Sequence, residues 1–118
     1  MIDLLISENG SDGAIPDLVR RILDDGAYVA WVGYMRPMED ADEYADCGGE
    51  VDLLRERLQR LDESEDGMVF VDGALIGTGV EEDLYDPDGY HPSPEGCAAL
   101  GEEVAQRVDG AFGLSALG

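Results

Sequence analysis

Lysine is absent from this sequence, and its only basic side chains are seven arginines, set against 28 aspartates and glutamates. The formal charge of −21 repels phosphate backbones and anionic headgroups, which bind to clustered lysine and arginine. We therefore expect neither nucleic acid nor membrane among the partners. Because concentrated salt screens the self-repulsion of such a chain, the acidic, lysine-free composition is typical of a halophilic environment.

Long hydrophobic runs are also missing. The longest spans only a few residues, against the ~20 that a membrane-crossing helix needs, and the amino terminus lacks the basic flank and cleavage site of a secretory signal. The default expectation is a cytoplasmic location, unless a preceding segment carries a signal. Cysteine is scarce as well: Cys47 and Cys97 allow at most one disulfide, match no metal-binding spacing, and are expected to be semi-buried thiols.

The sequence does contain enough apolar material for one folded domain. With 44% hydrophobic residues, residues 1–118 are expected to form a single domain that ends in a frayed tail at 110–118. Strands are predicted at 3–7, 27–32 and 68–72, and helices from Ile15 to a stop at Gly26, at 50–61, and from Pro94 onward with Ser93 as the N-cap. This alternation predicts an α/β layer sandwich with a thin parallel sheet.

One loop carries a candidate acid–base pair. In α/β sandwiches, chemistry gathers on loops at the carboxyl ends of strands, here 7–13 and 73–92. The second loop contains Asp88-Gly89-Tyr90-His91-Pro92, with the only histidine of the chain. An aspartate three residues before a histidine on a turn can accept a hydrogen bond from Nδ1, which leaves Nε2 to act as a general base. The alternative is an ordinary turn with an incidental histidine, because aspartate is so frequent here that this spacing arises by chance about one time in seven.

The same stretch carries a family resemblance. Residues 88–96, followed by an alanine-rich amphipathic helix, resemble the final conserved block of SGNH (GDSL-type) hydrolases, and Gly33-Tyr34-Met35-Arg36-Pro37 is similar to a turn common in that family. The similarity spans nearly the whole chain, but only the last block is specific. It implies a flavodoxin-like three-layer αβα sandwich with a parallel sheet. It also implies hydrolysis of a small-molecule ester without a cofactor or metal, by a Ser-His-Asp relay in which Asp88 orients His91.

The nucleophile of that family is missing from this chain. The family's Gly-Asp-Ser block near the amino terminus is absent, and none of the five serines stands in that context. The chain resembles the carboxyl-terminal half to two-thirds of such an enzyme. The resemblance therefore implies a catalytic acid and base without their serine, in a sheet that is incomplete on its N-terminal side.

The oxyanion-binding block of the family, Gly-x-Asn, has an imperfect counterpart in the loop 7–13, and two registers fit. In the first, Asn9 supplies an amide donor but a serine replaces the glycine. In the second, Gly10 fills the glycine position and Asp12 falls where asparagine belongs. Because a carboxylate has no proton to donate at neutral pH and would repel an oxyanion, Asn9 is the chemically competent choice. A polar turn that serves only backbone geometry remains the alternative.

Two noncatalytic alternatives also fit parts of the sequence. The acidic run 81–88 suggests a calcium-binding module, and with Gly89 as the sixth position of an EF-hand loop, Glu95 falls at the twelfth. The first position would then be Leu84, and Pro87 would sit between the supposed ligands, which argues against this register. The other alternative is an acidic α/β remnant whose exposed sheet edge pairs with another chain.

Overall fold

A computed structural model describes residues 2–38 and 48–113 of the chain. Within these ranges it contains four α-helices and one parallel sheet of two strands. The elements are, in chain order, α1 (Ile2–Leu5), α2 (Ala14–Asp24), β1 (Val29–Val32), α3 (Gly48–Ser64), β2 (Met68–Val71) and α4 (Pro94–Phe112). Two short 3-10 helices, Gly73–Leu75 and Glu82–Leu84, lie between β2 and α4. The mixed α/β character predicted from the sequence is confirmed, with two strands in place of three.

The first predicted strand is wrong, because residues 3–7 begin with the helical turn α1 instead. The amide of Ile6 donates to the carbonyl oxygen of Ile2 at 3.0 Å, which continues the helical pattern. A long-range contact holds this segment. Arg57 on α3 donates to the carbonyl of Ile6 at 3.0 Å and to the carboxylate of Asp3 at 2.6 Å, and the Ile6 side chain is fully buried. A short apolar run does not by itself distinguish a strand from a buried helical turn.

The sheet organises the core. β1 and β2 run parallel, with Val29 opposite Met68 and Val32 opposite Val71. One face of the sheet packs against α2 and α3, and every residue of β2 is buried. The central cluster consists of Ile6, Ile15, Val19, Val29, Leu58, Leu61, Met68 and Phe70. Full burial of a side chain such as Phe70 contributes about 1.5–3 kcal/mol, so this cluster is the main source of stability.

The last helix follows the sequence prediction closely at its start. The hydroxyl of Ser93 accepts a hydrogen bond from the amide of Gly96 at 3.1 Å, and Pro94 occupies the first turn. α4 contacts both strands and continues to Phe112, so residues 110–112 are helical rather than part of a tail. The remainder of that predicted tail lies outside the described residues, apart from Gly113.

Cys97 is an exposed free thiol on α4, so its predicted partial burial is wrong, and Cys47 lies outside the described residues. Among the described residues, no helix combines the length and apolar character that crossing a bilayer requires.

Candidate functional site

The histidine loop is closed by main-chain hydrogen bonds into a compact turn. Tyr85 and Pro92 form an antiparallel bridge, and the amide of Asp86 donates to the carbonyl of His91 at 2.8 Å. The amide of Gly89 donates back to Asp86 at 2.9 Å, with Gly89 at a φ of 71°, a conformation that glycine adopts without strain. Residues 86–91 are thus held in a fixed turn immediately before α4.

Within this turn, the carboxylate of Asp88 contacts the imidazole of His91. Oδ2 of Asp88 lies 2.5 Å from Nδ1 of His91. The other oxygen, Oδ1, accepts hydrogen bonds from the amides of Tyr90 at 2.8 Å and His91 at 3.0 Å. These bonds, with the one from the imidazole as the largest contribution, lower the pKa of Asp88 to about 2. The carboxylate is therefore ionised at neutral pH and can hold a proton on Nδ1.

The outer side of the imidazole is open. The His91 side chain is 59% exposed, and its Nε2 makes no hydrogen bond to any described residue. The ring of Tyr90 packs edge-on against the imidazole, with 4.9 Å between the ring centres. With Nδ1 on the carboxylate, Nε2 is the nitrogen that can exchange a proton with a bound molecule.

A cavity of about 410 Å³ adjoins the histidine. One wall is formed by the carboxyl end of β1 and the residues that follow it, and the other by the histidine turn and α4. The lining residues are Val32, Gly33, Tyr34, Met35, Tyr90, His91, Pro92 and Leu100. His91 therefore lies at the carboxyl end of the parallel strands, the rim where ligands bind in open α/β sheets.

Comparison of this chain with protein-family models, curated proteins and solved structures finds no match.

A second cavity of about 270 Å³ lies beside the first and is almost entirely apolar. Its lining residues are Ile2, Leu5, Tyr34, Glu50, Val51, Leu54 and Tyr90. Tyr34 and Tyr90, with ring centres 6.3 Å apart, line both cavities and form the wall between them. Neither tyrosine is among the site residues predicted from the sequence, although Tyr90 is the immediate neighbour of the histidine and Tyr34 follows the end of a predicted strand.

A buried tyrosine joins the two walls of the histidine cavity. Tyr85, only 5% exposed, donates from Oη to the carbonyl of Arg36 at 2.5 Å and accepts from the amide of Gly79 at 3.0 Å. Burial raises the pKa of the Tyr85 hydroxyl, which stays protonated and can donate at physiological pH. The amide of Met38 adds a bond to Gly89 at 2.8 Å. The turn that carries His91 is thus fastened to the segment that follows β1.

Charged groups brace the same rim from α3. Arg55 binds both carboxylate oxygens of Asp72, with Nη2 at 2.7 Å from Oδ2, and Asp72 directly follows β2. Asp52, one turn earlier on α3, pairs with Arg36 in the segment after β1. These partners lie between one-sixth and one-half exposed, so the network fixes geometry more than it adds stability.

The loop of Asn9 lies elsewhere and is organised as a local turn. Oδ1 of Asn9 accepts hydrogen bonds from the hydroxyls of Ser7 at 2.8 Å and Ser11 at 2.7 Å. Gly10 packs so closely on α3 that a Cβ there would stand 2.6 Å from the carbonyl of Arg57, which explains the glycine. The second-register residue, Asp12, accepts from the hydroxyl of Ser11 at 3.1 Å.

The structure does not bring the Asn9 loop into contact with His91. Asn9 lines a cavity with Ser7, Glu8, Asp12 and Arg60, and this cavity shares no residue with the one beside the histidine. The hydrogen bonds of the loop fit the turn interpretation. The assignment of Asn9, or of Gly10 and Asp12, to an oxyanion site stays a prediction.

No serine among the described residues hydrogen-bonds to His91. Ser93 is the N-cap of α4 and donates to the carbonyl of Asp83 at 2.6 Å, while Ser64 donates to Leu61 at 3.0 Å. Ser7 and Ser11 belong to the Asn9 turn, and Ser115 lies outside the described ranges. Nor do the described residues contain a group of three or more histidine, cysteine or acidic side chains that could hold a metal ion.

Proposed function

We propose that this chain supplies the aspartate and histidine of the Ser-His-Asp relay of an SGNH (GDSL-type) ester hydrolase, with the nucleophilic serine on another segment. The observation that carries the proposal is the 2.5 Å contact between Asp88 Oδ2 and His91 Nδ1, beside a cavity at the carboxyl end of β1. The sequence has no Gly-Asp-Ser block to provide the nucleophile itself.

In the proposed reaction, the ester lies in the cavity and Nε2 of His91 takes the proton of the serine hydroxyl as its oxygen attacks the ester carbonyl. Asp88 keeps Nδ1 protonated and stabilises the imidazolium that forms. Nε2 then gives its proton to the departing alcohol, and the acyl group stays on the serine. Nε2 next takes a proton from a water molecule, whose oxygen attacks the acyl carbonyl. As the bond to the serine oxygen breaks and the acid leaves, Nε2 returns that proton to the serine oxygen. The scheme uses side-chain groups only and needs no cofactor.

The fold proposed with this function is the three-layer αβα sandwich of the family, lacking strands on one side. Two observations support it. In β1, Ala30 and Val32 are exposed. In α4, the apolar residues Leu100 and Val104 are only half-buried. A helix that covers a wider sheet would bury this stripe more completely.

The Asp88–His91 pair can be tested directly, because the chain contains one histidine and its nitrogen resonances need no assignment. We expect neutral His91 to carry its proton on Nδ1, whereas a free imidazole prefers Nε2. Asp88→Asn should shift the proton toward Nε2. Asp86→Asn is the matched control, since Asp86 contacts the histidine only through its main chain. A wild-type histidine that is predominantly Nε2-protonated would refute the proposed pair.

Ester chemistry gives the second test. The isolated chain should hydrolyse p-nitrophenyl acetate only slowly, through His91 acting alone or on water, and His91→Ala should remove that activity. Mass spectrometry should find no acylated serine. Acylation of any of the five serines during turnover would contradict the claim that the nucleophile lies elsewhere. A rate that His91→Ala leaves unchanged would contradict the role of the histidine.

A noncatalytic module that pairs with another chain is the second candidate, and a specific observation favours it. The outer edge of β1 has no hydrogen-bonded neighbour among the described residues. If this candidate is correct, the chain would hydrolyse p-nitrophenyl acetate no faster than buffer alone. His91→Ala would then change neither that rate nor the association with the other chain. The calcium-binding variant of this candidate stays a prediction; the described residues contain no group of three or more histidine, cysteine or acidic side chains that could hold a metal ion.

A further inference from the structure

The two edges of the small sheet differ in whether their main-chain groups have hydrogen-bond partners. On the outer edge of β2, the amide of Phe70 donates to Oδ2 of Asp62 at 2.8 Å, and its carbonyl accepts from Nη2 of Arg107 at 3.3 Å. Side chains from α3 and α4 thus hydrogen-bond to the main-chain groups of β2 with which another strand would pair. Natural proteins block edge strands in this way to prevent further pairing.

The outer edge of β1 has no hydrogen-bonded neighbour within residues 2–38 and 48–113. The amide of Val29 donates to Gly67 at 3.0 Å and that of Gly33 to Val71 at 2.8 Å, so the odd-numbered residues point toward β2. By alternation, the amides and carbonyls of Ala30 and Val32 point away from β2. No described side chain or main-chain group hydrogen-bonds to them. β1 also lacks lysine, proline and any bulge, the usual protections of an exposed edge.

The side chains along this edge are uncharged. We call the residues Tyr28, Ala30, Val32 and Tyr34 the β1 strip; all four are exposed, with Tyr28 and Tyr34 at 59% and Val32 at 44%. The ring of Tyr28 already stacks on Phe112, with 4.4 Å between ring centres, so ordering it further costs little entropy. An apolar strip of this kind is unusual on a chain whose formal charge is −21.

We propose that the β1 strip binds the β1 strip of a second copy of the chain. The two strands would pair antiparallel around a two-fold axis at Trp31, so that Ala30 of each copy faces Val32 of the other. Each such pair exchanges both of its main-chain hydrogen bonds. The product is a continuous sheet of the order β2-β1-β1-β2, in which both outer edges are closed by Asp62 and Arg107.

This register makes the strip complementary to itself. Tyr28 of one copy stands opposite Tyr34 of the other, which gives an aromatic pair at each end, and the small Ala30 faces the larger Val32. Cross-strand aromatic pairs stabilise sheets. Two copies of so acidic a chain repel each other strongly, and an uncharged strip is where they can approach at the lowest electrostatic cost.

The effect of salt on association distinguishes binding of a second copy from binding of a basic protein. Screening at about 1 M salt, where the Debye length is near 3 Å, should promote self-association, whereas it would weaken binding of an oppositely charged protein. We expect sedimentation to give a mass near 12.7 kDa at low salt and about twice that value at high salt. A monomer at both salt concentrations, with the chain near millimolar concentration, would overturn the proposal.

Two edge variants locate the interface. Val32→Glu places a charge on the strip, and Ala30→Pro removes an outward amide that β2 does not use. Both should leave the mass near that of the monomer at high salt. Val80→Glu is the matched control, since Val80 is 72% exposed and lies outside the strip, and it should remain dimeric. Circular dichroism checks that each variant is folded. A dimer that survives both edge variants would refute the assignment.

Cysteine pairs test the register. In a background without Cys47 and Cys97, the double variant Tyr28→Cys with Tyr34→Cys should form an intermolecular disulfide on oxidation, because the two positions face each other across the axis. Either single variant should stay uncross-linked. Efficient cross-linking of a single variant with itself would show another register and would refute the pairing around Trp31.

Discussion

Replacing the buried hydroxyl of Tyr85 tests whether the histidine turn is fastened as the structure indicates. Tyr85→Phe keeps the ring but removes the donor to the carbonyl of Arg36 and the acceptor for the amide of Gly79. A hydrogen bond contributes a net ~0.5–1.5 kcal/mol, and a buried partner left unsatisfied costs more. Two such bonds at a residue that is 5% exposed give an expected loss of about 2 kcal/mol in the free energy of unfolding.

Urea denaturation followed by the fluorescence of the single tryptophan, Trp31, measures this loss, since Trp31 packs against the core. Tyr28→Phe is the matched control: Tyr28 is 59% exposed, and its stacking on Phe112 does not need the hydroxyl, so the change should stay within about 0.5 kcal/mol. Because Tyr85 holds the His91 turn in place, Tyr85→Phe should also weaken the Nδ1 proton preference. Equal midpoints for both variants would refute the reasoning.

Further predictions concern the His91 turn and the helix α4 that follows it. Because the imidazole is the main cause of the low pKa of Asp88, His91→Ala should raise that pKa from about 2 toward 3.8. Carboxyl ¹³C titration measures this pKa. In the wild type, the stability that the ionised carboxylate contributes is present above pH 4 and is lost as the pH falls through about 2. Gly96→Ala should destabilise the fold by about 1–3 kcal/mol, because a Cβ there collides with the carbonyl of Leu84. Gly101→Ala, which meets nothing within 4 Å, should be neutral or stabilising in the same urea assay.

The features that were predicted correctly depend on neighbours in sequence. α4 is specified by a capping serine, a proline in the first turn and an apolar stripe, all within a few residues of one another. The contact between Asp88 and His91 spans three residues of one turn, so local backbone geometry is enough to form it. Such features can be predicted because distant parts of the chain do not have to cooperate.

The features that were missed depend on residues far apart in sequence. The segment 3–7 has the composition of a strand, but its conformation is held by Arg57, which lies 51 residues from Ile6. The wall between the two cavities is formed by Tyr34 and Tyr90. The sequence around either tyrosine does not indicate that it contacts the other. An apolar run or a single aromatic residue fits several environments, and tertiary packing selects among them.

The open edge and the candidate base meet at one end of β1, and this relates the two proposals. Val32 belongs both to the β1 strip and to the lining of the His91 cavity. A strand paired with the outer edge of β1 would lie next to Val32 and therefore close to that cavity. In the proposed dimer, Tyr28 of the second copy lies opposite Tyr34, which lines the same cavity. The β1 strip of that copy supplies no nucleophilic serine. The outer edge of β1 can pair with only one further strand. If the serine of the proposed hydrolase lies on a strand next to β1, that assembly and the proposed dimer would be mutually exclusive.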